Sequence, residues 1–298
     1  MASIVNRDPI EYYSRYGRIT DPREEAGMFE GLPLGVARLR GLVQGLLIHV
    51  FWAQRYGLTL QASREQELQI RSVAEKLRQI RKLDDRPIAE PRPPEKRLVG
   101  NCRDFSLMLC SMLRYHGVPA RARCGFAAYF VPKHFEDHWV CEWWDGTGRW
   151  VKVDAQLDAM QCERLGINFD PLDVPDDQFL VGGKAWQMCR TGKADPDKFG
   201  ISDLRGLWMV RGNLVRDLAS LNKVELLPWD SWGLIDKKDE ELSESDLALL
   251  DQVAIIAQAD NSGFDRIRSV YENNDRLRVP TYVKSHAKTD VQTVRIET

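Results

Sequence analysis

The chain has 298 residues, 43% of them hydrophobic, and its 42 Lys and Arg nearly balance 44 Asp and Glu, for a formal net charge of -2. This balance excludes the global basic field that draws a protein to nucleic acid or to an anionic membrane, so neither is expected as a partner. The apolar share is enough for a substantial core in a soluble globular chain.

The opening residues, Met-Ala-Ser-Ile-Val-Asn-Arg-Asp-Pro, lack the basic, then apolar, then small order of a secretory signal, and a cytoplasmic location is expected. Residues 46–53 form an apolar run, but His49 and Trp52 interrupt it and it is far shorter than the roughly 20 residues a membrane span needs. A buried helix is expected there. The six cysteines, Cys102, Cys110, Cys124, Cys141, Cys162 and Cys189, contain no Cys-x-x-Cys pair and read as free thiols.

In chain order, Pro33 opens a predicted helix over 33–56, with Val36, Leu39, Val43, Leu46, Leu47 and Val50 at three- and four-residue intervals and Gly57 as its stop. A second is predicted from Ser63, with Gln66 as capping partner and Ile70, Val73, Leu77 and Ile80 as its inner stripe. Residues 1–86 thus read as a helical segment. Pro87, Pro91, Pro93 and Pro94 then favour an extended connector over 87–97.

Residues 98–160 are expected to form the catalytic core. A helix starts at Asn101 and is stopped by Gly117 and Pro119; strands are predicted over 120–130, 138–144 and 149–154, the last two joined by the hairpin turn Asp145-Gly146-Thr147-Gly148. Residues 161–283 are expected to be mostly helical, with helices near 178–191, 207–221, 244–258 and 263–275, and the polar end, 284–298, to be disordered.

Asn101 followed by Asp104 just before Phe105-Ser106-Leu107-Met108-Leu109 marks a helix N-terminus and places Cys102 in its first turn. Unpaired backbone N–H groups and the positive end of the helix dipole stabilise a thiolate there. The helix is apolar on nearly every side, as a rigid buried mount would be. Pairing the hairpin about Gly146 sets His138 opposite Asp154, close enough for a carboxylate to accept the imidazole N–H. Alternation puts Trp139, Cys141, Trp143, Val151 and Val153 on one face and His138, Glu142, Lys152 and Asp154 on the other. A structural hydrogen bond across the hairpin would satisfy the same pattern.

Gly100-Asn101-Cys102-Arg103-Asp104, Leu113-Arg114, Gly117-Val118-Pro119-Ala120-Arg121, His138-Trp139-Val140 and Trp150-Val151-Lys152-Val153-Asp154 resemble, in order and spacing, the transglutaminase-like superfamily of cysteine enzymes. The resemblance implies an α+β fold of transglutaminase-like, papain-like type, in which a buried helix carrying the cysteine packs on an antiparallel sheet, here with added N- and C-terminal helices. It also implies a triad: Cys102 as nucleophile, His138 as general base and acid, Asp154 as its orienter. The chemistry would be attack on an amide or related acyl carbon to give a thioester, resolved by water or an amine. The expected partners are therefore an acyl donor, whether protein, peptide or small amide, and one of those acceptors. A non-catalytic binding or scaffold protein on the same fold is the alternative.

The N–H of Cys102 is a natural oxyanion donor, and family members often add one from an upstream side chain, for which Trp52, Gln54 and Tyr56 are candidates. His134, in a loop, and Trp144 and Trp150, on the polar face of the hairpin, are candidates for the substrate cleft. Arg121 and Arg123 share a strand face and read as solvated, the alternative being that they hold a carboxylate or phosphate. No metal site is expected, since Cys102 and Cys110 are not at close ligand spacing, and no cofactor, since no Gly-x-Gly-x-x-Gly or Gly-x-x-x-x-Gly-Lys loop occurs.

Overall fold

The computed structural model describes residues 8–287 and 290–296. The fold is α+β. It opens with α1 (Pro9–Ser14), whose first turn is capped by the Asp8 carboxylate accepting the Ile10 N–H. Next comes α2 (Val36–Leu46), which runs directly into β1 (Leu47–His49). The helix predicted over 33–56 is thus interrupted. All three residues of β1 are buried and pair in parallel with β2 (Leu98–Gly100), Ile48 opposite Val99. An apolar run buried on every side suits helix and strand equally by period, and here the available partner strand decides. A short 3-10 turn, Ala53–Tyr56, follows and ends at Gly57, whose φ of 77° only glycine adopts readily.

The second predicted helix starts later than Ser63. The polar stretch Ala62–Gln69 makes a 3-10 turn, and α3 (Val73–Leu83) begins after Ser72. There the Glu75 N–H donates to the Ser72 hydroxyl oxygen (3.2 Å), the Ser72 hydroxyl donates to Glu75 (2.7 Å), and the last turn carries Arg81 and Lys82 against the carbonyl dipole. The Pro-rich stretch is built around the buried Arg92, which donates to the carbonyls of Asp84, Arg86, Pro87 and Glu90.

Then come α4 (Cys102–Tyr115), β3 (Ala120–Ala127), β4 (Phe135–Trp144), β5 (Trp150–Val153) and the unpredicted α5 (Ala159–Leu165). The helix predicted over 178–191 opens instead as β6 (Phe179–Val181) before becoming α6 (Gly182–Arg190). β6 pairs with β3 at Gly125, where a Cβ would lie 2.1 Å from the Leu180 carbonyl oxygen, so the close pairing needs glycine. The remaining elements are β7 (Phe199–Ile201), β8 (Leu204–Arg205), α7 (Leu207–Leu221), β9 (Asp230–Ser231), α8 (Glu244–Ile256), α9 (Phe264–Glu272), β10 (Tyr282–Ser285) and β11 (Gln292–Arg295).

The tail expected to be disordered from 284 carries β10 and β11, paired antiparallel, and β10 also pairs with β9. Val283 and Ser285 alternate inward with exposed Tyr282 and Lys284, a half-buried strand too short to stand out in a polar sequence. The largest sheet has the order β6-β3-β4-β7-β8, with β5 paired to β4 off that path. Among the described residues no helix is long and apolar enough to cross a membrane.

The chain divides into two compact units. One comprises Met1–Arg15, Arg123–His138 and Asp176–Thr298, of which the described residues include α1, α6, α7, α8 and α9. In it α6 packs on α7 and α8 with no space for a Cβ at Gly182 or Gly183, and Arg123 forms a buried ion pair with Asp217 on α7 (2.8 Å). The other comprises Tyr16–Ala122 and Trp139–Pro175 and holds α2, α3, α4 and β5; the residues on both sides of the Pro-rich stretch 87–97 belong to it.

Every residue of α4 from Cys102 to Arg114 is buried, and its first turn is fixed by charges with no exposed surface. Asp104 accepts from Lys76 on α3 (2.8 Å), from Arg103 (2.9 Å) and from the Asn101 backbone N–H (3.0 Å). Burial pushes the Lys76 ammonium down and the Asp104 charge draws it back up. Removing one partner of such a network strands the others without solvent. Asp104→Ala is expected to destabilise the fold by about 3–5 kcal/mol in urea unfolding, against well under 1 kcal/mol for truncation of the exposed Glu24.

Candidate active site

Cys102 is the first residue of α4, preceded by Asn101 in extended conformation (φ -120°, ψ 178°), and it retains 7% exposure. The Asp104 carboxylate closes the turn below it, and its carbonyl accepts the Ser106 hydroxyl (3.1 Å). The backbone carrying the thiol is thus pinned on both sides. The same unit holds Asp154, fully buried just past β5. One carboxylate oxygen of Asp154 accepts the N–H groups of Gln156 (2.9 Å) and Leu157 (3.2 Å), its own N–H donates to Pro171 (2.9 Å), and its carbonyl accepts Arg40 Nε (2.9 Å). Gln44, one turn on from Arg40 along α2, donates to the carbonyls of Ala155 (3.2 Å) and Leu157 (3.0 Å). Helix α2 therefore brackets segment 154–157 with two side chains, and the carboxylate has little freedom to turn.

The hairpin register differs from the one expected. Trp144 pairs with Trp150 and Cys141 with Val153, a shift of two residues from pairing about Gly146. The loop explains it: the Asp145 N–H donates to the Arg149 carbonyl (3.1 Å), while one Asp145 carboxylate oxygen accepts the N–H groups of Thr147 (2.8 Å) and Arg149 (3.1 Å). Those bonds hold the Asp145 carboxyl below the usual carboxylate range and favour a longer turn than the two-residue type. Asp154 thus follows the last ladder pair, and the expected cross-hairpin pairing of His138 with Asp154 is not the register found. The two faces are as expected, since a shift of two preserves them.

His138 belongs to the other unit, is 2% exposed, and sits on β4. Three aromatic rings stand edge-on around its imidazole: Phe130 at 4.9 Å, Tyr129 at 5.9 Å and Phe179 at 6.2 Å between centroids. Its neighbour Asp137 accepts from Asn213 Nδ2 (2.7 Å), an amide that also donates to the Gly125 carbonyl (3.0 Å). Burial pushes the Asp137 carboxyl up. No spacing in the sequence flags these rings, because Tyr129 and Phe130 lie in a loop and Phe179 lies over forty residues away.

Of the cleft candidates, the His134 ring nitrogen lies 2.9 Å from Arg205, which is also near Glu136 (3.7 Å), an arrangement that anchors a loop. Trp144 and Trp150 face each other at 5.5 Å, with the Arg121 guanidinium 4.1 Å over Trp150. The solvated reading of Arg121 and Arg123 is overturned: both are buried, and Arg121 pairs with Glu142 (2.7 Å) as Arg123 does with Asp217. Two inward arginines are accommodated because each meets a carboxylate. Of the oxyanion candidates, Trp52 is half-buried and Gln54 exposed. The Tyr56 hydroxyl donates to Asp158 (2.6 Å) and accepts from Gln161 (3.0 Å), and burial together with that carboxylate pushes its pKa up.

These elements frame a comparison with known proteins. Residues 56–155 match the transglutaminase-like superfamily. The matched segment contains Cys102, His138 and Asp154, and the superfamily's members are typically cysteine-dependent enzymes. A crystal structure described as that of a "putative cysteine protease" from Cytophaga hutchinsonii is 13% identical, with a TM-score of 0.30, over 52% of this chain and 45% of that one. No curated protein matches the chain.

The commitment of Tyr56 to Asp158 is testable. Tyr56→Phe removes the hydroxyl donor from one oxygen of a half-buried carboxylate whose other oxygen still accepts the Gln161 N–H (2.9 Å), and is expected to cost about 1–2 kcal/mol in urea unfolding. Asp158→Asn, which can still accept, is expected to cost less than half as much.

Proposed function

We propose that the protein is a cysteine enzyme acting on amide bonds through a thioester, with Cys102 as nucleophile, His138 as general base and acid, and Asp154 as orienter of the imidazole. The observation that carries the reading is the position of Cys102 at the first residue of a helix buried from Cys102 to Arg114, inside the segment matching the transglutaminase-like superfamily. The helix N-terminus favours a thiolate there, and the fixed Asp154 carboxylate is an acceptor of the kind that sets an imidazole tautomer.

The Cys102 thiol passes its proton to His138, and the sulfur attacks the acyl carbon. The resulting oxyanion is met by the Cys102 N–H at the helix start. Collapse breaks the C–N bond, the leaving amine takes the proton from His138, and an acyl thioester remains on Cys102. Water or an amine, deprotonated by His138, then attacks the thioester; the product is an acid in the first case and a new amide in the second. The acyl donor is a protein, peptide or small amide, and the site as described works without a metal or cofactor.

The test is the rate of Cys102 alkylation by iodoacetamide against pH, located by peptide mapping, in the wild type and in His138→Ala. Fast alkylation that persists well below pH 8, and falls about tenfold or more at pH 6.5 in the variant, is the expected result. A slow reaction with an ordinary thiol profile, unaffected by the substitution, overturns the proposal and leaves a binding protein on the same fold.

A further inference from the structure

Resting on the reading of His138 as the catalytic base, we infer that Tyr129 and Phe130 form a fixed apolar wall that selects acyl donors with a bulky apolar side chain beside the attacked carbonyl. Three rings stand edge-on to the His138 imidazole, but they are not equivalent. Phe179, on β6, is 1% exposed and belongs to the core, whereas Tyr129 and Phe130 are half-buried and pack on each other at 4.7 Å with their planes 50° apart. Each keeps part of its surface open next to the group assigned the proton transfers.

Segment 128–134, which carries the two rings, has no regular secondary structure, yet it is tied down along its length. The Ala128 N–H donates to the Gln178 carbonyl (2.9 Å), the His134 N–H to the Val131 carbonyl (3.2 Å), and Arg205 holds the His134 ring at 2.9 Å. Lys133 adopts φ 63°, a left-handed conformation that a non-glycine residue keeps only where its surroundings impose it. The rings are therefore set in place before any ligand arrives, and little ordering is left to oppose binding.

An aromatic wall could take an apolar group or a cation. The mechanism excludes the cation, because His138 becomes an imidazolium as the thiol gives up its proton, and a second positive charge at the rings would be repelled in that step. An aliphatic or aromatic side chain gains from leaving water and from edge-to-face packing.

The experiment uses two covalent probes of Cys102 that differ only in that side chain: benzyloxycarbonyl-phenylalanine and benzyloxycarbonyl-glycine fluoromethyl ketones. In each, the sulfur forms a bond to the methylene carbon and fluoride leaves with the electron pair. Labelling rates are measured by intact mass on the full-length protein, with iodoacetamide, which carries no such side chain, as the reference probe. The expected result is a preference of about tenfold or more for the phenylalanine probe, the scale on which a hydrophobic pocket discriminates. In Tyr129→Ala/Phe130→Ala this preference, each rate taken relative to the iodoacetamide rate of the same protein, is expected to fall below about threefold, and Tyr129→Phe/Phe130→Leu is expected to retain it. A preference that is absent from the wild type, or unchanged in the alanine variant, while iodoacetamide still reacts fast, overturns the wall alone. Slow iodoacetamide labelling of the wild type overturns the nucleophile reading and the wall with it. If the double alanine variant does not fold, Tyr129→Ala and Phe130→Ala are read singly on the same scale.

Discussion

The carboxylate of Asp104 has no exposed surface, yet it accepts from two cationic side chains and from the backbone N–H one residue before Cys102. An unpaired charge at that depth would cost several kcal/mol, so α3, α4 and the turn between β2 and α4 are tied into one arrangement in which all partners are present. Lys76 donates onward to the Ile70 carbonyl (2.6 Å) and Arg103 to the Arg71 carbonyl (2.8 Å), which extends the constraint to the chain entering α3. The position of the candidate nucleophile thus follows from electrostatic satisfaction at Asp104 and its partners.

Asp154 is held on the same principle with different chemistry. Two backbone N–H groups fix one carboxylate oxygen, and Arg40 and Gln44 on α2 satisfy the carbonyls around it. Bonds from backbone and from a helix fix a carboxylate more closely than a loop would. In the other unit, three aromatic rings stand edge-on to His138, and its neighbour Asp137 is bonded to Asn213.

Much of this was legible from residue order. Asn101 and Asp104 ahead of an apolar run announced the start of α4, since a carboxylate three residues on can accept the N–H at the helix entrance. The α7 boundaries, Leu207–Leu221, were read without error because the pattern is long and uninterrupted. Elsewhere two signals competed. Ser63 and Ser72 both precede apolar periodicity, and Ser72 is the cap because Glu75 returns its hydrogen bond. Residues 47–49 and 179–181 continue a helical pattern but fold as strands, since each meets a partner strand distant in sequence.

The sequence by itself determined the α+β class, the helix that begins at Cys102, the hairpin after His138 and the resemblance to a cysteine-enzyme superfamily. All of these rest on interactions between residues a few positions apart, where the local backbone chemistry leaves one good solution. Only the tertiary structure decided the bracket of α2 around Asp154, the burial of Arg121 and Arg123 and the packing of Phe179 on His138. Those depend on groups separated by tens of residues, whose meeting is set by which buried charges and carbonyls find partners once the core has closed.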